Sequence, residues 1–501
     1  MKGIIDMSEK KCVFYSQYGA IGDGITDDHA AILAAHVDAN EKGCEVKADD
    51  GKTYYIPAHE ATIPIMTNTD WTGAKFIIDD REINYDGHPA QHTRLFTVLP
   101  SKERFEIDIK ELHIGDESIG TAPGVRCLVH LECNTIKHYI RFGGNANNGS
   151  SQTEILIVNA DGTIDPKTPV IWDYPTVTKC FAIPTDEEPL TIKGGEFLTL
   201  ANEIDCKSWL CTERNISVRR SNTTVVGVKH QLKQVMPYRS AYGGWLQATY
   251  CDNVLFKDCV IQCHKNMYFD KPKEDGTIQK ILIGSYELLA DHCNNIVYDG
   301  IYQTNLFDEN GKLISAGLMG TNYCRNMVMQ NCTVARFDAH CQVHNLLIRN
   351  CVMEHINTIG FGKVTVEDTE IWDRYIFNLR SDYGSTFCGD YELKNIKMMN
   401  TDTKRLSIFL GYWNNHNFGY TVYYPQNVVI ENMTAPEGAV VGAYTTNFDN
   451  YEDVTRDVLE SGEENKNKVV VTKSLRVVSN PAGTVFEDFK GKIPFPPFTY
   501  E

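Results

Sequence analysis

The densest group of proton-exchanging side chains in the chain is Phe337-Asp338-Ala339-His340, with Arg336 directly before it. A carboxylate, an imidazole and a guanidinium in so short a run bring both signs of charge together, the condition under which pKa values are tuned for acid–base work. A second group follows at Arg380-Ser381-Asp382-Tyr383-Gly384. Asp338 and Asp382 are expected to form a catalytic carboxylate pair, with His340 tuning Asp338. Carboxyls roughly 6.5 to 9.5 Å apart suit inverting hydrolysis of a sugar linkage, and about 5 to 5.5 Å suits retaining hydrolysis. A metal reading of Asp338, His340 and His344 matches no closed zinc site, so no metal is assigned. No cofactor is expected, and a structural calcium is compatible with the sequence.

Around these lie residues of the types that hold a polar ligand by hydrogen bonding and ring stacking: His230, His264, Lys265, Arg336, Arg380, Asn322, Tyr286 and Tyr238. They are the expected substrate-binding set. Trp245 reads as core. Each of them alone could be a satisfied surface or packing residue. Several, however, fall at matching offsets in a repeat.

That repeat is what must position the chemistry. Asn215-Ile-Ser-Val, Asn253-Val-Leu-Phe, Asn295-Ile-Val-Tyr, Asn326-Met-Val-Met and Asn345-Leu-Leu-Ile share one pattern, with weaker copies at Lys363, Asp390 and Asn427. The first and third residues after the anchor are large and apolar, and a period of two means a short strand with one buried face. The strands close at polar corners such as Asn331-Cys332 and Asn350-Cys351. Asn tolerates left-handed backbone there, and its amide can bond to the next copy, so ladders of Asn and stacks of Cys are predicted. Anchor spacings are 38, 42, 31, 19, 18, 27 and 37 residues. A minimum near 18 is about one bare turn of a β-solenoid, the excess being protruding loops. Helical repeats are disfavoured because no copy holds a long 3.6-residue periodicity, and a sandwich would not repeat one corner residue at one offset.

In a parallel solenoid, equal offsets from successive anchors lie about 4.8 Å apart along the axis. Lys265 is twelve residues past Asn253 and Asp338 twelve past Asn326. His264, Arg336 and His340 flank them, and His230, His355 and Asn357 fall at nearby offsets in other coils. Asp382 is two coils beyond Asp338, about 10 Å axially, which leans towards inversion.

The chain has 501 residues, with 66 Asp plus Glu against 48 Lys plus Arg and a net charge of −18. That balance argues against nucleic acid as a partner, since clustered cations would be needed to displace counterions. No run approaches the roughly 18 apolar residues that span a bilayer, so no membrane partner is expected. Sixteen Cys without a CxxC pair read as mostly free, core-filling thiols. Met1 to Met7 has no apolar leader core. A cytoplasmic location follows for the sequence as it stands, and a secreted or virion-associated one if a leader was trimmed. The expected organisation is a cap with the first coils over 1–120, early coils with a loop-rich insertion over 121–205, a solenoid body carrying the site over 206–450, and a C-terminal cap segment over 451–501.

Near the start, Tyr18-Gly-Ala-Ile-Gly-Asp-Gly-Ile-Thr-Asp-Asp-His-Ala-Ala-Ile-Leu-Ala-Ala-His36 is a Gly-rich turn followed by a helix. Thr26 or Asp27 is the expected N-cap, and Ala31, Ile32 and Ala35 form the apolar face. The segment closely resembles the opening of the pectate-lyase-like superfamily of right-handed parallel β-helices, which includes pectate lyases, polygalacturonases and phage tailspike depolymerases. The resemblance implies an all-β solenoid whose first coil is plugged by this helix, with long loops forming a groove for a glycan. It is compatible with a homo-oligomer, trimers being common among tailspikes.

Three functions are carried forward. The first is a glycoside hydrolase using the Asp pair, although the motif set of polygalacturonases is not present in order. The second is a lyase or epimerase acting on an anionic glycan. Phe-Asp-Ala-His looks like the Phe-Asp-Pro-His site of β-helical mannuronan epimerases, which maps Asp338 and His340 onto catalytic positions, while the Tyr three places earlier is Ala335 here. The third is a glycan-binding solenoid without catalysis.

Overall fold

The computed structural model describes residues 12–142, 146–205, 211–233, 240–262, 267–272, 276–283, 285–307, 311, 319–411, 418–445, 468–489 and 495–501. Among the described residues thirty-two strands join in one hydrogen-bonded parallel sheet around a continuous apolar core, the parallel β-helix expected from the repeat.

The alternation read from the sequence becomes columns of core side chains. Val254, Ile296, Met327, Leu346, Val364, Tyr391, Val428 and Leu475 stack in register, all buried. Two residues further on, Phe256, Tyr298, Met329, Ile348, Val366, Leu393, Ile430 and Val477 form a second column. Each side chain withdrawn from water in this way contributes about 1.5–3 kcal/mol before its entropy cost. At the corners Asn222, Asn253, Asn295, Asn326, Asn331, Asn345 and Asn350 all have φ between 51° and 62°. Their amides form the predicted ladders: Asn345 Nδ2 donates to Asn326 Oδ1 at 3.0 Å and Asn350 Nδ2 to Asn331 Oδ1 at 2.8 Å. Cys332 and Cys351 are buried free thiols beside the second ladder.

One anchor was misassigned. The strand Ile216–Val218 that follows Asn215 pairs with Leu246 to Ala248, on a different face. The rung below Asn253 is Asn222, because Thr223 pairs with Val254 and Val225 with Phe256. A small polar Thr at the first core position hid that copy from the apolar pattern.

The helix His29–Lys42 buries Ile32, Ala35 and Ala39 against the first coils, and Ala31 packs half-buried beside them. Its N-cap is Asp28 rather than Thr26 or Asp27. Asp28 turns its carboxylate back to accept the N–H groups of Ile21 and Gly22, while Asp27 Oδ1 accepts from His29 N at 2.9 Å. Among the described residues no helix is long and apolar enough to cross a membrane.

A second, antiparallel sheet is built from Phe105–Glu106, Cys127–His138, Ser150–Val158 and Lys179–Pro184, over its own core of Val129, Leu131, Leu156 and Tyr174. Tyr174 is thus interior. The sheet is fastened to the solenoid by a fully buried ion pair, Arg325 with Glu154, and by Arg325 Nη1 donating to Pro169 O at 2.6 Å. A hairpin, Met267–Pro272 with Ile278–Ile283, also departs from the coils.

Candidate functional site

Strand Arg336–Arg349 carries the centre of the site at its start. Asp338 pairs with Gly320 in the preceding coil and with Asn357 in the next, and Asn357 pairs with Asn378. Equal offset therefore does predict adjacency here: Asp338 and Asn357, twelve residues beyond Asn326 and Asn345, lie side by side. Along this face opens a cavity of about 730 Å³. Tyr286, Arg336, Asp338, His340 and Arg380, all expected from the sequence, line it together with Arg141, Glu213, Asn357 and Asn378.

Asp338 is the hub. Its side chain is 3% exposed, and each oxygen is held twice. Oδ1 accepts from Asn357 Nδ2 at 2.8 Å and from Arg380 Nη1 at 3.4 Å. Oδ2 accepts from Arg336 Nη2 at 3.1 Å and lies 3.3 Å from His340 Nε2. Burial alone would raise its pKa. The charges of His340, Arg336 and Arg380 outweigh that, so the carboxyl is held well below the usual range. Asp382 follows the same logic at the rim: Arg380 grips it through two hydrogen bonds of 3.0 Å, and Arg141 Nε approaches to 2.6 Å. Burial opposes, but these guanidiniums hold its pKa below the usual value. Arg380 bridges both carboxylates, and it takes left-handed backbone, φ 56°, to do so.

Tyr286, from strand Tyr286–Asp291, places its hydroxyl 3.2 Å from His340 Nε2, edge-on to the imidazole. Burial is the largest cause raising its pKa, so at neutral pH it is a phenol. One nitrogen of His340 thus faces a phenol and a carboxylate. Asn357 Oδ1 and Arg336 Nε are buried without a hydrogen-bond partner among the described residues, which leaves polar atoms to meet a ligand.

Three expected residues, His264, Lys265 and Tyr238, lie outside the described residues. Two others do not reach the cavity. His230 is buried, stacked on Trp245 at 4.0 Å, with Nδ1 2.8 Å from Glu287 Oε2 and Nε2 3.1 Å from Thr199 Oγ1. Asn215, the anchor before it in the repeat, heads a strand on a different face. Asn322 is not among the residues that line the cavity. Trp245 is core, as expected. The His344 of the metal reading is buried, and burial lowers its pKa to about 3.

Arg141 was missed by sequence reasoning. It comes from the antiparallel sheet's long turn, which also sends Phe142 N to Asp382 O at 2.8 Å and Tyr139 Oη to Gln342 Oε1 at 3.2 Å. No repeat offset relates that turn to Asp382. Asn378 could have been found by extending the Asp338–Asn357 row by one coil.

No family model matches the chain, and no curated protein matches it in sequence. Among solved structures it is similar to the tailspike protein gp49 from Pseudomonas phage LKA1, at 11% identity and TM-score 0.53, over 96% of this chain and 84% of that one. It is also similar to the surface adhesin PfbA of Streptococcus pneumoniae, at 12% identity and TM-score 0.43, over 98% of this chain and 100% of that one. A third likeness is to an exopolygalacturonase from Thermotoga maritima, at 9% identity and TM-score 0.34, over 87% of this chain and 88% of that one. At such identities the likeness is one of fold, and the first of the three carries it. The fold is the parallel β-helix that the Tyr18 to His36 motif implied.

Proposed function

We propose that this protein acts on an anionic, uronate-bearing glycan by removing the proton next to the sugar carboxylate, the step that lyases and epimerases share. The observation that carries this reading is the line Tyr286 Oη, His340 Nε2, Asp338 Oδ2, with contacts of 3.2 and 3.3 Å, set in a cavity walled by three arginines.

The chemistry follows from those contacts. As the C5–H bond of the uronate breaks, its proton passes to Tyr286 Oη while the tyrosine's own proton moves to His340 Nε2, a step that starts from neutral His340 with Nε2 unprotonated, Arg336 and Arg380 then being the charges that keep Asp338 ionised. The phenolate is thus never formed in isolation, which suits a hydroxyl whose pKa burial has raised. The imidazolium N–H made in this step faces the Asp338 carboxylate, already ionised and fixed by Asn357, Arg336 and Arg380. Arg336 and Arg141, with side chains 25% and 27% exposed, are placed to neutralise the uronate carboxylate, which acidifies the neighbouring C–H. Tyr286 also supplies the phenol that Ala335 does not: it arrives from two coils before rather than from the same strand.

The same electrostatics weigh against Asp338 and Asp382 as a hydrolytic pair. Inverting or retaining hydrolysis needs one carboxyl that keeps its proton at working pH. Both carboxyls here are held down by guanidiniums. Fold by itself does not choose among these activities.

A panel of uronate-containing and neutral polysaccharides, read both for ultraviolet absorbance of unsaturated sugar ends and for new reducing ends, tests the proposal. Activity confined to uronate polymers, lost in Tyr286→Phe and His340→Ala, is the expected result. A neutral glycan cut to reducing ends without unsaturation would favour the hydrolase instead.

A further inference from the structure

A second cluster of ionisable groups lies one register position from the cavity and takes no part in the chemistry above. Strand His355–Asn357 pairs with Arg336 to Asp338, so His355 stands opposite Arg336 while Asn357 serves Asp338. His355 Nδ1 lies 3.1 Å from Asp373 Oδ2, contributed by the next coil, and 3.8 Å from Glu354 Oε2. One donor atom from each of the three residues falls within 4.8 Å of the others.

These groups are poorly satisfied by one another. The His355 side chain is 6% exposed, yet beyond its 3.1 Å ion-pair contact with Asp373 its Nδ1 makes no hydrogen bond among the described residues, and neither does Glu354 Oε2. A buried polar atom without a partner costs about 1–3 kcal/mol, so two converging on one point call for a shared partner. Asp373 is already oriented for one. Its Oδ1 accepts from Arg374 N at 2.7 Å, which leaves Oδ2 turned to the cluster, the kind of outer-shell hydrogen bond that aims metal ligands.

We propose that Glu354, His355 and Asp373 bind a divalent transition-metal cation of the Zn²⁺ type. With bonds of about 2.0–2.1 Å, the ligand atoms of a tetrahedral site stand ~3.4 Å apart, and the spacings here bracket that value. One imidazole and two carboxylates is a borderline donor set that suits Zn²⁺ and not Ca²⁺, which takes six to eight oxygens. Asp373 is 21% exposed, so the site has a path to solvent, and water completes the coordination. The cation pins the strand whose Asn357 fixes Asp338. The assignment does not depend on the glycan reading.

The test uses the full-length protein, stripped with chelator and titrated in parallel with ZnCl₂, CoCl₂ and CaCl₂. Expected are one Zn²⁺ per chain by calorimetry, a higher Tm with Zn²⁺, intense visible absorbance of a low-coordinate Co²⁺ complex, and no comparable response to Ca²⁺. Asp373→Asn keeps the side chain's shape and should weaken Zn²⁺ binding by at least about 100-fold. His355→Gln should abolish the cobalt spectrum if it folds, and the wild-type spectrum needs no variant at all. Absence of stoichiometric Zn²⁺ binding would leave only an imidazole between two carboxylates and overturn the assignment. So would undiminished binding by Asp373→Asn, or Ca²⁺ bound as tightly as Zn²⁺.

Discussion

The strand Arg336–Arg349 runs through two regions built on opposite principles. Its first half, around Asp338 and His340, is made of groups that occur once. Its second half, Asn345 to Ile348, is one rung in columns that repeat from coil to coil. In the ladder a side chain is supported by near-copies above and below, so its contribution is local and additive. Around Asp338 four different partners converge on one carboxylate, so removing any one alters how the others hold and orient it. Repetition supplies the stability, and departure from repetition supplies the chemistry.

This contrast can be broken or sharpened by substitution. The largest effect is expected for His340→Ala. It should lower turnover by about 10²–10⁴-fold, the usual worth of a positioned proton acceptor, with little change in Tm because the side chain is 32% exposed. Steady-state rates together with thermal melts check both halves of that statement. Ile348→Ala should do the reverse, costing about 2–5 kcal/mol of unfolding free energy with turnover per folded molecule unchanged. A denaturant titration with an active-site count reads this directly. Asn345→Ala gives up a left-handed residue and its bond to Asn326 Oδ1, and should cost about 1–3 kcal/mol in the same titration.

A pH series separates the regions by another route. Asp338 is lowered in the fold relative to the unfolded chain, so its ion pairs stabilise the protein above the unfolded pKa of about 4. That stabilisation is lost as pH falls through the lower folded value. The stability gap between wild type and Asp338→Asn should therefore be constant near neutrality and narrow below about pH 4. A gap that persists at acid pH would mean that shape, not charge, holds the site. The smallest effect is expected for Lys363→Ala. Its pair with Glu392 at 2.7 Å is about half exposed on both sides, and the change should stay within about 0.5 kcal/mol.

What could be read in the sequence divides along the same line. The core columns and Asn corners were legible because each is restated coil after coil, and the stack from Asn253 to Asn427 lies where the anchors put it. Arg336, Asp338 and His340 were legible because alternate residues of one strand share a face. His230 was misplaced through an anchor, Asn215, whose strand belongs to another face, while a Thr in the core column concealed the true rung at Asn222. Arg141 was not legible at all. It arrives on an antiparallel insertion with its own core, and only the folded chain brings it to Asp382. Tyr286 was expected as a ligand contact, but its pairing with His340, 54 residues away, is a product of coil stacking.

The most direct measurement is the fate of the uronate proton. With a uronate polymer in D₂O, proton NMR should show the H5 signal disappear, whether the product is cleaved or epimerised, and His340→Ala should leave it intact. New reducing ends with H5 fully retained would contradict proton abstraction at Tyr286 and His340.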